Sequence, residues 1–149
     1  MTYSREWLSL PKDKQDIILQ HQQEFPIKVG AIAKAFGITV KKSTLDAGIS
    51  GEIKKTDGEV VIRVNRHDVK ERQRFTLAHE IAHFLLHEEK IGDGIVDDIL
   101  YRSSLSDELE AQANRLAADI VMPWSLIQSA LEQEPDLKIE QKNILVYDL

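Results

Sequence analysis

The residues best suited to chemistry stand close together in "TLAHEIAHFLLH", Thr76 to His87, where a glutamate lies between two histidines in an otherwise apolar run. At about 100° per residue, His79 and His83 fall about 40° apart on one helical face, with Glu80 on its flank. Their four-residue separation is a rise of about 6 Å, so both imidazoles can converge on one ion with bonds of about 2.0–2.1 Å. Glu80 then reaches a water on the ion's open side, the place of a general base. Leu77, Ala78, Ile81, Ala82, Phe84, Leu85 and Leu86 surround these three residues, so the helix is expected to be buried. A buried carboxylate and two imidazoles are costly without strong partners. The plainer alternative, polar core groups bonded to backbone or to each other, has to meet that cost.

The spacing is the His-Glu-x-x-His arrangement of zinc peptidases, and it needs a third ligand. His87 continues the stripe but lies about 12 Å along the axis from His79, too far to share one ion on a straight helix. Leu86 and Glu89 also stand where the extended metzincin pattern has Gly and His. His87 therefore reads as a helix-end or cleft-wall residue. The second stretch, "ELEAQANRLAADIVMP", places Leu109, Ala113, Leu116, Ala117, Ile120 and Val121 on one arc. Glu108, Gln112, Arg115 and Asp119 fall on the opposite face, expected to be solvated. Glu110 lies inside the apolar arc with Asn114 one turn on, so it needs a buried counter-charge. Glu110 is the expected third ligand. Asp107 and Glu108 compete by proximity but lie off that arc.

The elements that would position these residues follow from periodicity and turn chemistry. Helices are expected over Lys12–Phe25 and Pro26–Phe36, then a strand over Ile38–Lys42. "GEIKKTDGEVVIRVN" reads as a hairpin turning at Asp57-Gly58, with Val60, Ile62 and Val64 on its buried face. The ligand helix should run from Lys70 to Glu88, followed by a loop over Lys90–Ser106. Within that loop Asp97-Asp98 lacks the spacing of a calcium site and reads as solvated. Ser106 is placed to cap the Glu110 helix, which should end near Val121 before a last helix over Pro123–Glu134. The tail "LKIEQKNILVYDL" suits helix or strand equally. The whole, residues 1–149, is expected to be a single α+β domain: a small antiparallel or mixed sheet packed on the two ligand-bearing helices. Trp7 and Trp124 are expected in the core.

Composition narrows the partners. A chain of 149 residues that is 42% hydrophobic suits one core. A net charge of −6 gives no global case for nucleic acid or an anionic membrane. No apolar run spans a bilayer and the first residues hold no signal-peptide core. The absence of cysteine excludes thiolate ligands and a cysteine nucleophile and suits the cytoplasm. "VGAIAKAFGITVKKSTL" begins like a helix-turn-helix, but "ITVKKST" is strand-like where a recognition helix should stand.

"RFTLAHEIAHFLLH" followed by "ELEAQANRLAADIVMP" resembles the ImmA/IrrE family of zinc-dependent metallopeptidases, over about Pro26 to Trp124. The resemblance extends to "IAKAFGITV" and the hairpin, and Asn114 and Met122-Pro123 match the second motif. It implies a zincin-like fold, His79, His83 and Glu110 as metal ligands, and Glu80 as catalytic base. It also implies a cytoplasmic endopeptidase that cleaves a helix-turn-helix repressor of a mobile element or stress response. Some relatives are paired with such a regulator in toxin–antitoxin-like modules, so a metal-binding partner that acts by binding is the alternative. The sequence departs from larger members in being short, and no C-terminal sensory domain is expected. Manganese or iron would also suit a two-His, one-carboxylate set. For a second oxyanion donor, Tyr101, His87, Arg72 and Tyr147 all remain open, and substrate backbone could add to an edge of the hairpin sheet.

Overall fold

Four strands, β1 (Thr39–Ser43), β2 (Ile49–Thr56), β3 (Glu59–Asn65) and β4 (Ile95–Asp98), form one mixed sheet in the order β1-β3-β2-β4 in the computed structural model, which describes residues 2–133. The hairpin of β2 and β3 turns at Asp57 and Gly58, both at positive φ (53° and 81°), the backbone a two-residue type I′ turn requires. Val60, Ile62 and Val64 are buried as their alternation predicts. β1 joins β3 in parallel, with Val40 opposite Ile62, so strand follows Gly37 rather than a recognition helix. Both hairpin strands are interior, and the sheet's edges are β1 and β4.

β4 corrects the loop expected over Lys90–Ser106. It pairs antiparallel with β2, Ile53 opposite Ile95 and Gly51 opposite Asp97, with a register shift between Ile49 and Gly51. Its four residues are half acidic and follow two glycines, so no periodicity marks them. The free edge of β2 supplies the order that local propensity does not.

The helices are α1 (Arg5–Ser9), α2 (Lys12–Gln20), α3 (Val29–Ala35), α4 (Lys70–Leu86), α5 (Glu88–Ile91), α6 (Asp107–Val121) and α7 (Trp124–Gln133). α2 ends at Gln20, five residues before the expected Phe25; the residue ahead of Pro26 is sterically disfavoured in helical backbone, so the helix was not free to run through Phe25. α1 was not expected from the pattern; Ser4 Oγ caps it by accepting from Trp7 N at 3.1 Å. α4 lies between two layers, packed on β2 and β3 on one side and on α6 on the other. Every residue from Thr76 to His83 is consequently buried. α6 begins where Ser106 predicts, with Ser106 Oγ accepting from Leu109 N at 3.2 Å.

One face of α6 departs from expectation. Arg115 and Asp119, assigned to solvent by the helical wheel, are covered by the N-terminal segment. Arg115 donates twice to the buried Glu6, at 2.8 and 3.0 Å, and Ser4 N donates to Asp119 at 3.1 Å. The wheel shows which residues share a face but not which distant segment closes over it. Trp7 is buried in the core and Trp124 is half-buried. Tyr147 and the C-terminal tail lie outside the described residues.

Candidate metal centre

α4 and α6 cross so that His79, His83 and Glu110 meet in the interior. His79 Nε2 is 2.8 Å and His83 Nε2 3.1 Å from Glu110 Oε1, and the two imidazole rings stand edge to face. Asp97 of β4 joins them, its Oδ2 3.5 Å from both Nε2 atoms. One ligand atom from each of these four residues lies within 4.8 Å of every other, and all four residues are buried. Glu80 is fully buried beside them.

The outer nitrogens fix which ring atoms face inward. His79 Nδ1 is 2.9 Å from Asn114 Oδ1. Since an amide oxygen only accepts, Nδ1 carries a proton, and in the neutral ring Nε2 keeps its lone pair. His83 Nδ1 meets His87 Nδ1 at 3.0 Å, and His87 Nε2 meets Gln112 Oε1 at 2.8 Å. With Gln112 accepting, His87 carries its proton on Nε2, so His83 Nδ1 must be the donor to His87. His83 Nε2 is thereby also left bare toward the cluster. Burial pushes His87 below its ordinary pKa, which suits its neutral place in this chain. Glu110 Oε2 accepts from Ser103 Oγ. Such outer contacts are what orient metal-binding imidazoles and carboxylates.

The electrostatics describe a site short of positive charge. Burial and then the Asp97 carboxylate push Glu80 well above the carboxylate range. Burial opposes ionisation of Asp97, but His79, His83 and Glu80 outweigh it and hold that carboxyl far below its usual value. Desolvation would neutralise His79, yet Asp97 and Glu110 raise it to about 9. While ionised, neither Glu80 nor Asp97 has a donor for either buried oxygen. Orphaned carboxylate oxygens facing two bare imidazole nitrogens are a donor set that fits a divalent cation.

A close backbone approach shapes the floor of the site. A Cβ on Gly51 would overlap Thr76 Cγ2 and sit 3.2 Å from the Arg63 carbonyl and 3.3 Å from Glu80 Oε2. Only glycine lets β2 pass this near to α4. The wall carries Tyr101, at φ 55°, an uncommon backbone for a bulky residue. Its ring centroid is 4.8 Å from that of His79, its hydroxyl is 3.0 Å from Thr76 Oγ1, and the Arg72 guanidinium lies over the ring, 5.7 Å from its centroid.

The sequence pattern brought His79, Glu80, His83 and Glu110 into view, and the structure gathers all four. It does not bring His87 into the cluster. Asp97 was missed, because it was expected in a solvated loop, and its side chain is fully buried. The sequence Ile95-Val96-Asp97-Asp98 carries no apolar–polar alternation that could have found it; pairing with β2 is what buries Ile95 and Asp97 and leaves Val96 exposed.

The chain is 44% identical over 80 residues to the radiation response metalloprotease IrrE of Deinococcus deserti, covering 48% of this chain and 25% of that relative. It is 39% identical over 75 residues to the protein of the same name from Deinococcus radiodurans, covering 49% of this chain and 22% of the relative. It thus spans about a quarter of the length of these curated relatives. The Peptidase_M78 family, described as the IrrE N-terminal-like domain, matches residues 33–141, which include all five buried polar residues of the centre. The chain belongs to that family.

Proposed function

We propose that this protein is a metal-dependent endopeptidase whose His79, His83 and Glu110 hold a zinc ion and whose Glu80 is the general base, in a single zincin-like domain. The observation that carries the reading is the buried meeting of two bare imidazole nitrogens with orphaned carboxylates, with Glu80 alongside. The family supports a peptidase, and the donor set of nitrogens and oxygens without thiolate suits zinc. Such an ion supplies Lewis acidity, bringing the pKa of water toward about 7 and polarising a carbonyl.

The remaining work belongs to the chain. Asn114 and His87 keep the imidazoles in the tautomers that face inward. Glu80 takes a proton from the attacking water and returns it to the leaving amine. Tyr101, whose ring is tilted against that of His79, is the best placed of the candidate donors among the described residues for the developing oxyanion. Substrate backbone would add to the free edge of β4, which runs beside the centre. A helix-turn-helix repressor, cleaved in the cytoplasm, is the substrate class that the family resemblance favours. No helix among the described residues is long and apolar enough to cross a membrane.

Glu80→Gln tests the reading. The variant should retain one metal ion per chain while hydrolysis of a repressor substrate falls about 100-fold or more, the usual scale of general-base loss. Metal content and cleavage are measured on the same preparation. Undiminished control of the regulator by Glu80→Gln would instead mean that the protein acts by binding.

A further inference from the structure

The three-ligand reading leaves Asp97 without a task, and three observations give it one. Its side chain is fully buried and neither oxygen has a hydrogen-bond donor. It is held by strand pairing opposite Gly51, at the register shift of β2, so backbone pairing places its Cα beside the cluster. Its Oδ2 lies 3.5 Å from both His79 Nε2 and His83 Nε2. Two donors that each lie about 2.0–2.1 Å from a tetrahedral ion are about 3.3–3.4 Å apart, so these separations match the edge of a tetrahedron.

Charge points the same way. His79, His83 and Glu110 around a divalent ion leave one positive charge, which Asp97 or Glu80, both carboxylates of the same buried pocket, can balance. Adding Asp97 makes the four donors and the ion neutral, which is the cheaper arrangement in a low dielectric. It also leaves Glu80 as the one carboxylate not spent on the ion.

We propose that Asp97 is a fourth donor, and that the resting centre is closed by its own edge strand. The proposal rests on the three-ligand reading and adds regulation to it. Four protein donors are the layout of a closed site, whereas a catalytic site keeps one position open. Asp97 must therefore withdraw before the ion can act on substrate. The element that carries it is suited to moving: β4 is four residues long, lies at the sheet's edge and pairs on one side alone. Its outward side presents Val96, 43% exposed, and the following turn presents Leu100, 63% exposed.

The test is zinc affinity by chelator competition, together with the visible spectrum of the cobalt(II)-substituted protein, for wild type, Asp97→Ala and Asp97→Asn. The wild type should show a four-coordinate cobalt spectrum that added azide does not change. Asp97→Ala should bind zinc at least about tenfold more weakly, no less than loss of an outer-shell partner costs, and its cobalt spectrum should shift with azide. Asp97→Asn keeps the shape of the side chain, and circular dichroism on both variants separates loss of a ligand from loss of fold. Wild-type affinity in a folded Asp97→Asn, with azide already entering the wild type, would overturn the proposal and leave the three-ligand reading standing. Weaker zinc in Asp97→Ala with no azide response would overturn it too, since no position had opened. A wild type that takes up neither metal would sink both.

Discussion

At the scale of single residues, the centre depends on groups that touch no substrate. His87 was legible as a helix-end histidine, and it is the C-cap of α4, yet its task is to accept a hydrogen bond from His83 and donate one to Gln112. Replacing it with phenylalanine removes the acceptor and frees His83 to rotate or take the wrong tautomer. His87→Phe should weaken zinc binding by about 10–100-fold with the fold retained, the usual cost of losing an outer-shell partner. Isothermal titration with zinc reads this directly; unchanged affinity would show that packing alone holds His83. Glu110 was legible because a charge inside an apolar arc demands a partner. Asp97 was not, since burial imposed by a strand edge leaves no mark on four residues of sequence.

At the scale of elements, the hairpin and the two ligand helices were readable from period, turn residues and caps. The approach of β2 to α4 was not. Gly51 is the residue that sets it, and sequence periodicity cannot tell a glycine that permits contact from one that merely turns the chain. Gly51→Ala forces Thr76 and the backbone of β3 apart, an overpacking of the kind that costs about 1–3 kcal/mol. Urea denaturation of the metal-loaded protein should show a lower midpoint with an unchanged slope. Because the added methyl also approaches Glu80, activity should fall by more than the loss of folded protein explains. A variant as stable as wild type would mean that the sheet can shift away from the helix.

At the scale of the molecule, the donors come from three elements spread over residues 79 to 110, so one ion would tie α4, β4 and α6 together. At 100 times the dissociation constant such an ion stabilises the fold by about 2.7 kcal/mol. Chelation should therefore lower the melting temperature, and the stripped protein should acquire a pH dependence of definite sign. His79 is raised from 6.5 to about 9 in the folded chain. Its contribution is complete below pH 6.5 and lost as pH rises through about 9. The raised value of Glu80 acts in the same direction. Thermal melts of stripped protein between pH 6 and 10 should fall with pH, and the loaded protein should be flatter. A stripped protein whose melting temperature rises over that range would contradict the buried charge pairing. The long-range packing of α1 on α6 through Glu6 and Arg115 was beyond the sequence, because either residue alone reads as an ordinary surface charge.

The register shift between Ile49 and Gly51 has a further meaning. Along β4, odd and even positions answer to different worlds: Ile95 and Asp97 look to the interior, Val96 to the outside. Since a one-residue slip exchanges the faces of a strand, a slip that turned Val96 inward would trade a carboxylate for an isopropyl group at the centre. Whether Asp97 or its apolar neighbour faces the interior is thus set by a single irregular step in the neighbouring strand.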